Sequence, residues 1–301
     1  MDGKTLDLEL REILQESSNS SWLDQKTSYN YLYEAACEVQ ERTLSLVSTQ
    51  TITTVAAQSG YTLNADFLRL YLTDDYNRYY IKYNDGSNDS FVFLEDYEKV
   101  IYDNQTESES IPSRFTLIST SAGSNITGTV TSAGALSNGE CTLTDTGASF
   151  SSTVSVGDEV HNTTDDSHGY ILAVTSGTAL VTALFGGTDN DWDSSDAYIV
   201  VPQGRWQLIL APPSSTAGHT VTVHYAQRPY PVYAPYRKYD LKQELKPALV
   251  KYAAWLYKYR DKDPAMGDAL YQYFDMQCRK AMSGVKRGLN RSKMKYNFII
   301  R

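Results

Sequence analysis

Between residues 121 and 200 there is not one lysine or arginine, against ten acidic residues. Phosphate is repelled by such a surface, so this stretch is not a nucleic-acid grip. Cysteine is scarce as well. Cys37, Cys141 and Cys278 are far apart and odd in number, which reads as free thiols in a reducing compartment and not as a disulfide framework. No apolar run approaches the ~20 residues a membrane helix needs. A mean hydropathy of −0.42 fits a soluble globular chain, and the acidic start over residues 1–12 has no signal-peptide core. Catalytic patterns are missing too. The four histidines make no HExxH and no zinc spacing with cysteine, and there is no nucleophile elbow, phosphate loop or dinucleotide glycine pattern. The adjacent Asp165 and Asp166 read as solvated turn residues, and nothing calls for catalysis or a cofactor. Asp189, Asp191 and Asp193 have the opening spacing of a calcium loop. Ser194 at the sixth position and Val200 at the twelfth exclude an EF-hand, so an Asp/Asn turn is preferred over a looser cation site.

What is abundant is tyrosine, 24 residues against 8 phenylalanines. Its apolar body and polar tip suit half-buried contacts between proteins, which points to assembly. Charge is unevenly spread: residues 1–120 hold 9 basic and 20 acidic side chains, and residues 279–301 hold 8 basic and none acidic. A basic end suits an acidic partner, or is simply a solvated tail.

The spacing predicts a short amphipathic helix over 6–14 and a longer one over 22–47, with Leu32, Ala36, Val39 and Val47 as its stripe and the Ser/Asn run 17–21 as the source of caps. Period-two strands are expected at 51–55, 67–73, 79–83 and 90–94, with Asn84-Asp85-Gly86 as a turn, one or two helical turns at 95–102, and a strand at 116–119. Residues 119–204 are rich in Gly, Ser and Thr, with short strands expected at 141–143, 159–162, 170–174, 179–184 and 197–201; 119–128 and 202–204 read as hinges. Two further strands, 206–211 and 220–225, precede a Pro-broken linker.

Residues 240–282 then read as a helical hairpin. Leu241, Leu245, Leu249, Tyr252, Leu256 and Tyr259 line one helix, and Met266, Leu270, Tyr273, Phe274 and Met282 the other, with Asp261 or Asp263 as cap, Pro264 in the first turn and Gly284 as a stop. Tyr296, Phe298 and Ile300 alternate behind a basic run, so 292–301 reads as a strand.

The order of these pieces resembles the head–tail connector, or neck adaptor, family of tailed phages. The likeness rests on Phe67-Leu68-Arg69-Leu70-Tyr71-Leu72 before Thr73-Asp74-Asp75, on Ile111-Pro112-Ser113-Arg114-Phe115, on Leu208-Ile209-Leu210-Ala211-Pro212-Pro213 with the strand to Tyr225 and Arg228-Pro229, and on the hairpin with Leu249, Tyr252, Ala253, Leu256, Ala269 and Tyr273. It covers about 1–118 and 205–283. Residues 119–204 depart from the simplest adaptors and look like small β modules of other phage structural proteins.

The reading is therefore an α+β fold: a helical bundle built from the N- and C-terminal helices, a small β-sheet region, and an inserted all-β sandwich or barrel. Domains are expected at 1–118 plus 205–283 (adaptor core), 119–204 (insert) and 284–301 (extended docking tail). The resemblance implies a structural virion protein of the neck that forms a ring of about twelve copies under the portal protein. It implies a downstream neck or tail protein as a further partner, and DNA that passes through the channel without specific binding. The tail would dock on the portal by adding to a sheet edge, with Lys286, Arg287, Arg291, Lys293 and Lys295 as charge contacts and Tyr296, Phe298 and Ile299 as anchors; the bland alternative is a frayed end. Tyr29, Tyr33, Tyr252, Leu256, Tyr259 and Tyr273 are the expected ring interface or core. The rival reading makes the insert a receptor- or glycan-binding module, for which Trp192 is its one tryptophan.

Overall fold

The computed structural model describes residues 1–18, 21–74, 76–106, 111–260 and 264–297; the side chains of 103–106, 260, 264 and 283–297 are outside that description. The chain opens with α1 (Gly3–Leu14) and α2 (Gln25–Thr43). Each starts on an aspartate whose carboxylate accepts a backbone N–H: Asp2 from Thr5 at 2.8 Å and Asp24 from Thr27 at 2.7 Å. The second helix stops at Leu44, whose φ of 49° is left-handed. It is thus shorter at both ends than the spacing over 22–47 suggests, and its cap is Asp24, not the Ser/Asn run. Val47 is an exposed strand residue and no part of the helical stripe.

Six strands and a helix follow: β1 (Val47–Thr53), β2 (Gly60–Thr62), β3 (Phe67–Leu70), β4 (Tyr80–Asn84), β5 (Asp89–Leu94), α3 (Tyr97–Thr106) and β6 (Arg114–Ser119). The insert contributes β7 (Ile126–Thr129), β8 (Cys141–Thr144), the single turn α4 (Phe150–Thr153), β9 (Glu159–Asn162), β10 (Ser167–Ser176), β11 (Ala179–Phe185) and β12 (Ala197–Val201). The chain then returns with β13 (Trp206–Ala211) and β14 (Thr220–Gln227), and ends in α5 (Lys246–Arg260) and α6 (Pro264–Asn297).

Among the described residues these are fourteen strands and six α-helices, in two curled sheets. The expected fold class is therefore wrong: the molecule is mostly β, and a helical bundle with a small sheet is not what the chain builds. The larger sheet has eight strands in the order β1-β14-β4-β5-β6-β13-β2, with β3 also on β14, and every pairing but β5–β6 is antiparallel. Its two edges approach through Gln50 of β1, which donates to the Thr62 carbonyl at 3.2 Å and accepts from the Asn64 N–H at 2.9 Å. Phe67, Tyr83, Phe115, Leu208, Val221 and Tyr225 fill the hollow. The sheet escapes a reading by pattern because its partners are remote: Val47 pairs with Ala226, and β1 buries no residue at all.

The six-stranded sheet runs β7-β12-β9-β10-β11-β8. Its ends meet where the Thr131 N–H donates to the Thr144 carbonyl at 2.8 Å, beside a Ser132–Thr144 bridge. Phe150, Trp192 and Tyr198 lead its interior. Strand β7 begins inside 119–128, the stretch read as a hinge, and the start and return of the insert are pinned together by the Thr120 N–H on the Arg205 carbonyl at 2.8 Å.

The helices near the two ends of the chain form one layer in which α5 packs on α1, α2 and α6, while α3 lies against β6 and β13 and α4 against β10. The buried face of α5 is Leu249, Val250, Ala253, Ala254 and Tyr257. It is rotated from the expected one because alanines, which an apolar count undervalues, let helices approach closely. On α6 the buried stripe is Leu270, Phe274 and Cys278; Met266 and Tyr273 are exposed. Arg42 of α2 donates to Glu38 at 2.6 Å, to Asp275 at 3.0 Å and to Tyr271 at 2.7 Å, and lies 4.7 Å over the Phe274 ring. The strand expected over 292–301 is overturned as far as it can be followed, since α6 runs through Gly284 to Asn297. Leu289, Met294 and the many Lys and Arg favour a helix, at about 1 kcal/mol lost per glycine. The period-two pattern rested on three residues. Phe298 and Ile299 lie outside the described residues, as do the expected caps Asp261 and Asp263.

Candidate functional site

Two kinds of aromatic arrangement emerge, one internal and one on the surface. The internal one joins the insert to the helices. The 228–240 linker threads between them, and Tyr233 is buried at its centre. Its ring stacks on Tyr170 of β10 at 4.3 Å and meets Tyr29, Tyr33 and Phe185 at 6.2–6.4 Å. Its hydroxyl donates to Asn30 at 2.8 Å. Leu172 and Ala183 of the insert belong to the same apolar cluster as the helices. Beside it, Arg237 makes a forked pair with Glu140 at 2.7 and 3.2 Å. The Asn138-Gly139 turn, with φ of 55° and 80°, abuts Pro235, where the positive φ at Gly139 suits a residue without a side chain. Burial raises the pKa of the Tyr33 and Tyr233 hydroxyls, and pushes the Cys37 thiol up to about 11.

Tyr29 and Tyr33 therefore work inside their own chain, Tyr29 with 1% of its surface exposed. Tyr252 and Leu256 are half-buried, and Tyr252 stacks in a cluster with Trp255, Tyr271 and Phe274. Of the six expected interface residues, Tyr259 (77%) and Tyr273 (38%) are exposed. Tyr273 shares its side of α6 with Met266 and Met276, and the Lys251 ammonium lies 5.7 Å from its ring centroid. Lys286, Arg287, Arg291, Lys293, Lys295 and Tyr296 fall on the α6 backbone, but their side chains are outside the description.

The second exposed face was not foreseen. On the outer side of the β4–β5 hairpin, Tyr80 lies opposite Phe93, Lys82 opposite Phe91 and Asn84 opposite Asp89. Tyr80 and Phe91 meet edge-on at 5.0 Å, and Phe91 is 55% exposed. Arg78, paired with Asp74 at 2.8 Å, covers the Phe93 ring at 4.3 Å. The signal was present in the alternation of Tyr80, Phe91 and Phe93, but pattern alone does not say which face of a strand is wet. At the hairpin tip the backbone N–H groups of Asn88 and Ser87 hold the Asp85 carboxyl below its usual range, so it is ionised beside Asp89.

In the insert, Asn162 donates to Asp165 at 2.9 Å and to Asp196 at 2.8 Å. Asp189 and Asp193 are exposed and Asp191 half-buried. Burial and like-charged neighbours raise the pKa of Asp165 and Asp191. Among the described residues no group of three or more His, Cys, Asp or Glu is placed to hold a metal ion, and no helix is long and apolar enough to cross a membrane. Trp192 is fully buried and donates its indole N–H to Thr182 at 2.9 Å. Comparison with protein-family models and with curated proteins finds no match.

Proposed function

We propose that this chain is a ring-forming structural protein of a virion neck, docking on a portal protein above and a neck or tail protein below, and extending the channel through which DNA passes. Its work is association and charge, not catalysis. The observation that carries the reading is the terminal helix. At 34 residues against 15 for α5, α6 is about 50 Å long where its antiparallel neighbour is about 22 Å. Beyond Asp275 it has no acidic residue, while Arg279, Lys280, Lys286, Arg287, Arg291, Lys293 and Lys295 follow. A helix that outlasts its partner and gathers one sign of charge is suited to reach another protein.

The packing of α5 on both α1 and α2 supports the same reading, since it makes one wall of the two chain ends. The acidic surplus of residues 1–200 suits a channel that DNA must not stick to. Portal contact is now assigned to a helical end led by the basic residues, in place of an added strand. A receptor-binding insert has less support, because Trp192 is no exposed platform and the insert shares its core with the helices. The test is to delete residues 292–301. The truncated protein is expected to lose co-purification with portal particles at physiological salt, and retained binding removes the docking role.

A further inference from the structure

Strands β5 and β6 are offset along their length. Their parallel pairing runs only through Phe93–Arg114 and Leu94–Phe115, and its last bond is the Glu95 N–H on the Phe115 carbonyl at 2.9 Å. Beyond that point β5 turns into α3, while β6 goes on to Ser119. Thr116, Ile118 and Thr120 turn their backbone groups to β13, in step with the Thr120 N–H on the Arg205 carbonyl. By alternation the N–H and C=O of Leu117 and Ser119 point the other way, and among the described residues nothing pairs with them. The insert closes its own edges at Thr131 and Thr144, and the edge of β1 faces β2 across the Gln50 bridge. The open edge of β6 instead borders a cleft of about 500 Å³, lined by Leu117, Leu94, Glu95, Asp96, Tyr97 and Trp206. Tyr97 is 51% and Trp206 38% exposed.

We propose that this cleft takes an extended, basic peptide segment of another protein, added as a strand beside Leu117 and Ser119. The assignment stands on the cleft alone and goes beyond the neck reading. Main-chain hydrogen bonds to a sheet edge hold an extended peptide, and pockets beside the edge choose its side chains. Here the pocket is aromatic, from Tyr97 and Trp206, and suits a cationic or apolar side chain. Charge selects a basic segment. Residues 94–98 hold Glu95, Asp96 and Glu98 and no Lys or Arg. The basic residues around them are engaged or turned away. Lys99 is bound to Glu95 at 3.1 Å, Arg78 to Asp74 at 2.8 Å, Arg205 turns to Ser155 of the insert, and Arg114 sits at the far end of β6. A second copy is a poor donor of such a segment, since its basic run over 279–295 is helical.

The test uses the full-length chain and a short fluorescein-labelled peptide of alternating lysine and valine. Its anisotropy is expected to rise on binding, and amide hydrogen exchange over 114–120 to slow. The same peptide N-methylated along its backbone, and one with glutamate in place of lysine, are each expected to bind about tenfold or more weakly. Ser119→Pro removes an N–H that faces away from β13, so the β6–β13 ladder stays whole. Circular dichroism of this variant is expected to match the parent, while its peptide affinity falls about tenfold. Asp96→Asn, a change at an exposed position, is expected to lower both the affinity and its dependence on salt. The assignment is overturned if the lysine–valine peptide does not bind, if the N-methylated or glutamate peptide binds as well as it does, or if exchange over 114–120 is unchanged. Chitotriose that binds at Trp206 where the peptide does not gives the cleft to a sugar, and self-association lost in Ser119→Pro without peptide binding gives the edge to a second copy; either result overturns it. Portal binding is measured apart from all of these, so the neck reading stands or falls separately.

Discussion

Replacing Tyr233 by alanine tests whether the insert is built into the molecule or merely tethered to it. The ring is 2% exposed, stacks on Tyr170 at 4.3 Å, and touches Tyr29 and Tyr33 of α2 and Phe185 of β11. Truncating a buried aromatic to alanine costs about 3–5 kcal/mol, about a fifth or more of a typical folding free energy of about 5–15 kcal/mol. Tyr233→Phe removes only the hydroxyl that donates to Asn30, at a cost of about 1 kcal/mol. The assay is urea unfolding followed by two probes: helical circular dichroism for the α-layer, and the fluorescence of Trp192, buried in the insert, in a variant where Trp22, Trp206 and Trp255 are replaced by phenylalanine. Because the seam belongs to both parts, both transitions are expected to move to lower urea together, by a large step for alanine and a small one for phenylalanine. A Trp192 transition that stays in place while the helical one shifts refutes the reasoning, for it makes the insert an independent body.

Burial pushes the Cys37, Cys141 and Cys278 thiols up to about 11, so none is expected to react with a thiol reagent near pH 8 in the folded protein, and all three after unfolding; one rapid native equivalent contradicts this. His168 lies against Lys26 and stacks on His161 at 6.0 Å; burial first, then Lys26 and His161, hold its pKa below 6.5 against the opposing pull of Asp166 and Glu159. The folded state then binds fewer protons than the unfolded chain, so this contribution is present above pH 6.5 and is lost as the pH falls through the window below it. The melting temperature is expected to drop on acidification through that window, and His168→Asn to flatten the drop; an unchanged slope in the variant rules His168 out as the cause.

Much of the local structure could be read from residue pattern. Leu32, Ala36 and Val39 are the buried stripe of α2, and residues 159–162 and 197–201 are strands as expected. The reading failed where tertiary partners decide. Threonines and a glutamine in β1 give it no buried residue, so its role beside β14, some 170 positions away, has no local trace. Leu44 ends α2 in a left-handed conformation that no glycine announces. Alternating Tyr296, Phe298 and Ile300 suggested a strand, yet helix-forming neighbours carry α6 past residue 292. The tyrosine excess points to assembly, yet part of it forms the internal seam around Tyr233. The candidate surface was half visible, in Tyr273 and Tyr259, and half hidden, in Phe91 and Tyr80.

The central claim is that copies of this chain close on one another and seat on a portal. Native mass measurement of the purified protein at high concentration, alone and with portal particles, tests it most directly. The account predicts one closed assembly of about twelve 33.7 kDa chains that adds as a unit to the portal's mass. A lone 33.7 kDa species at every concentration, with the portal's mass unchanged, contradicts it.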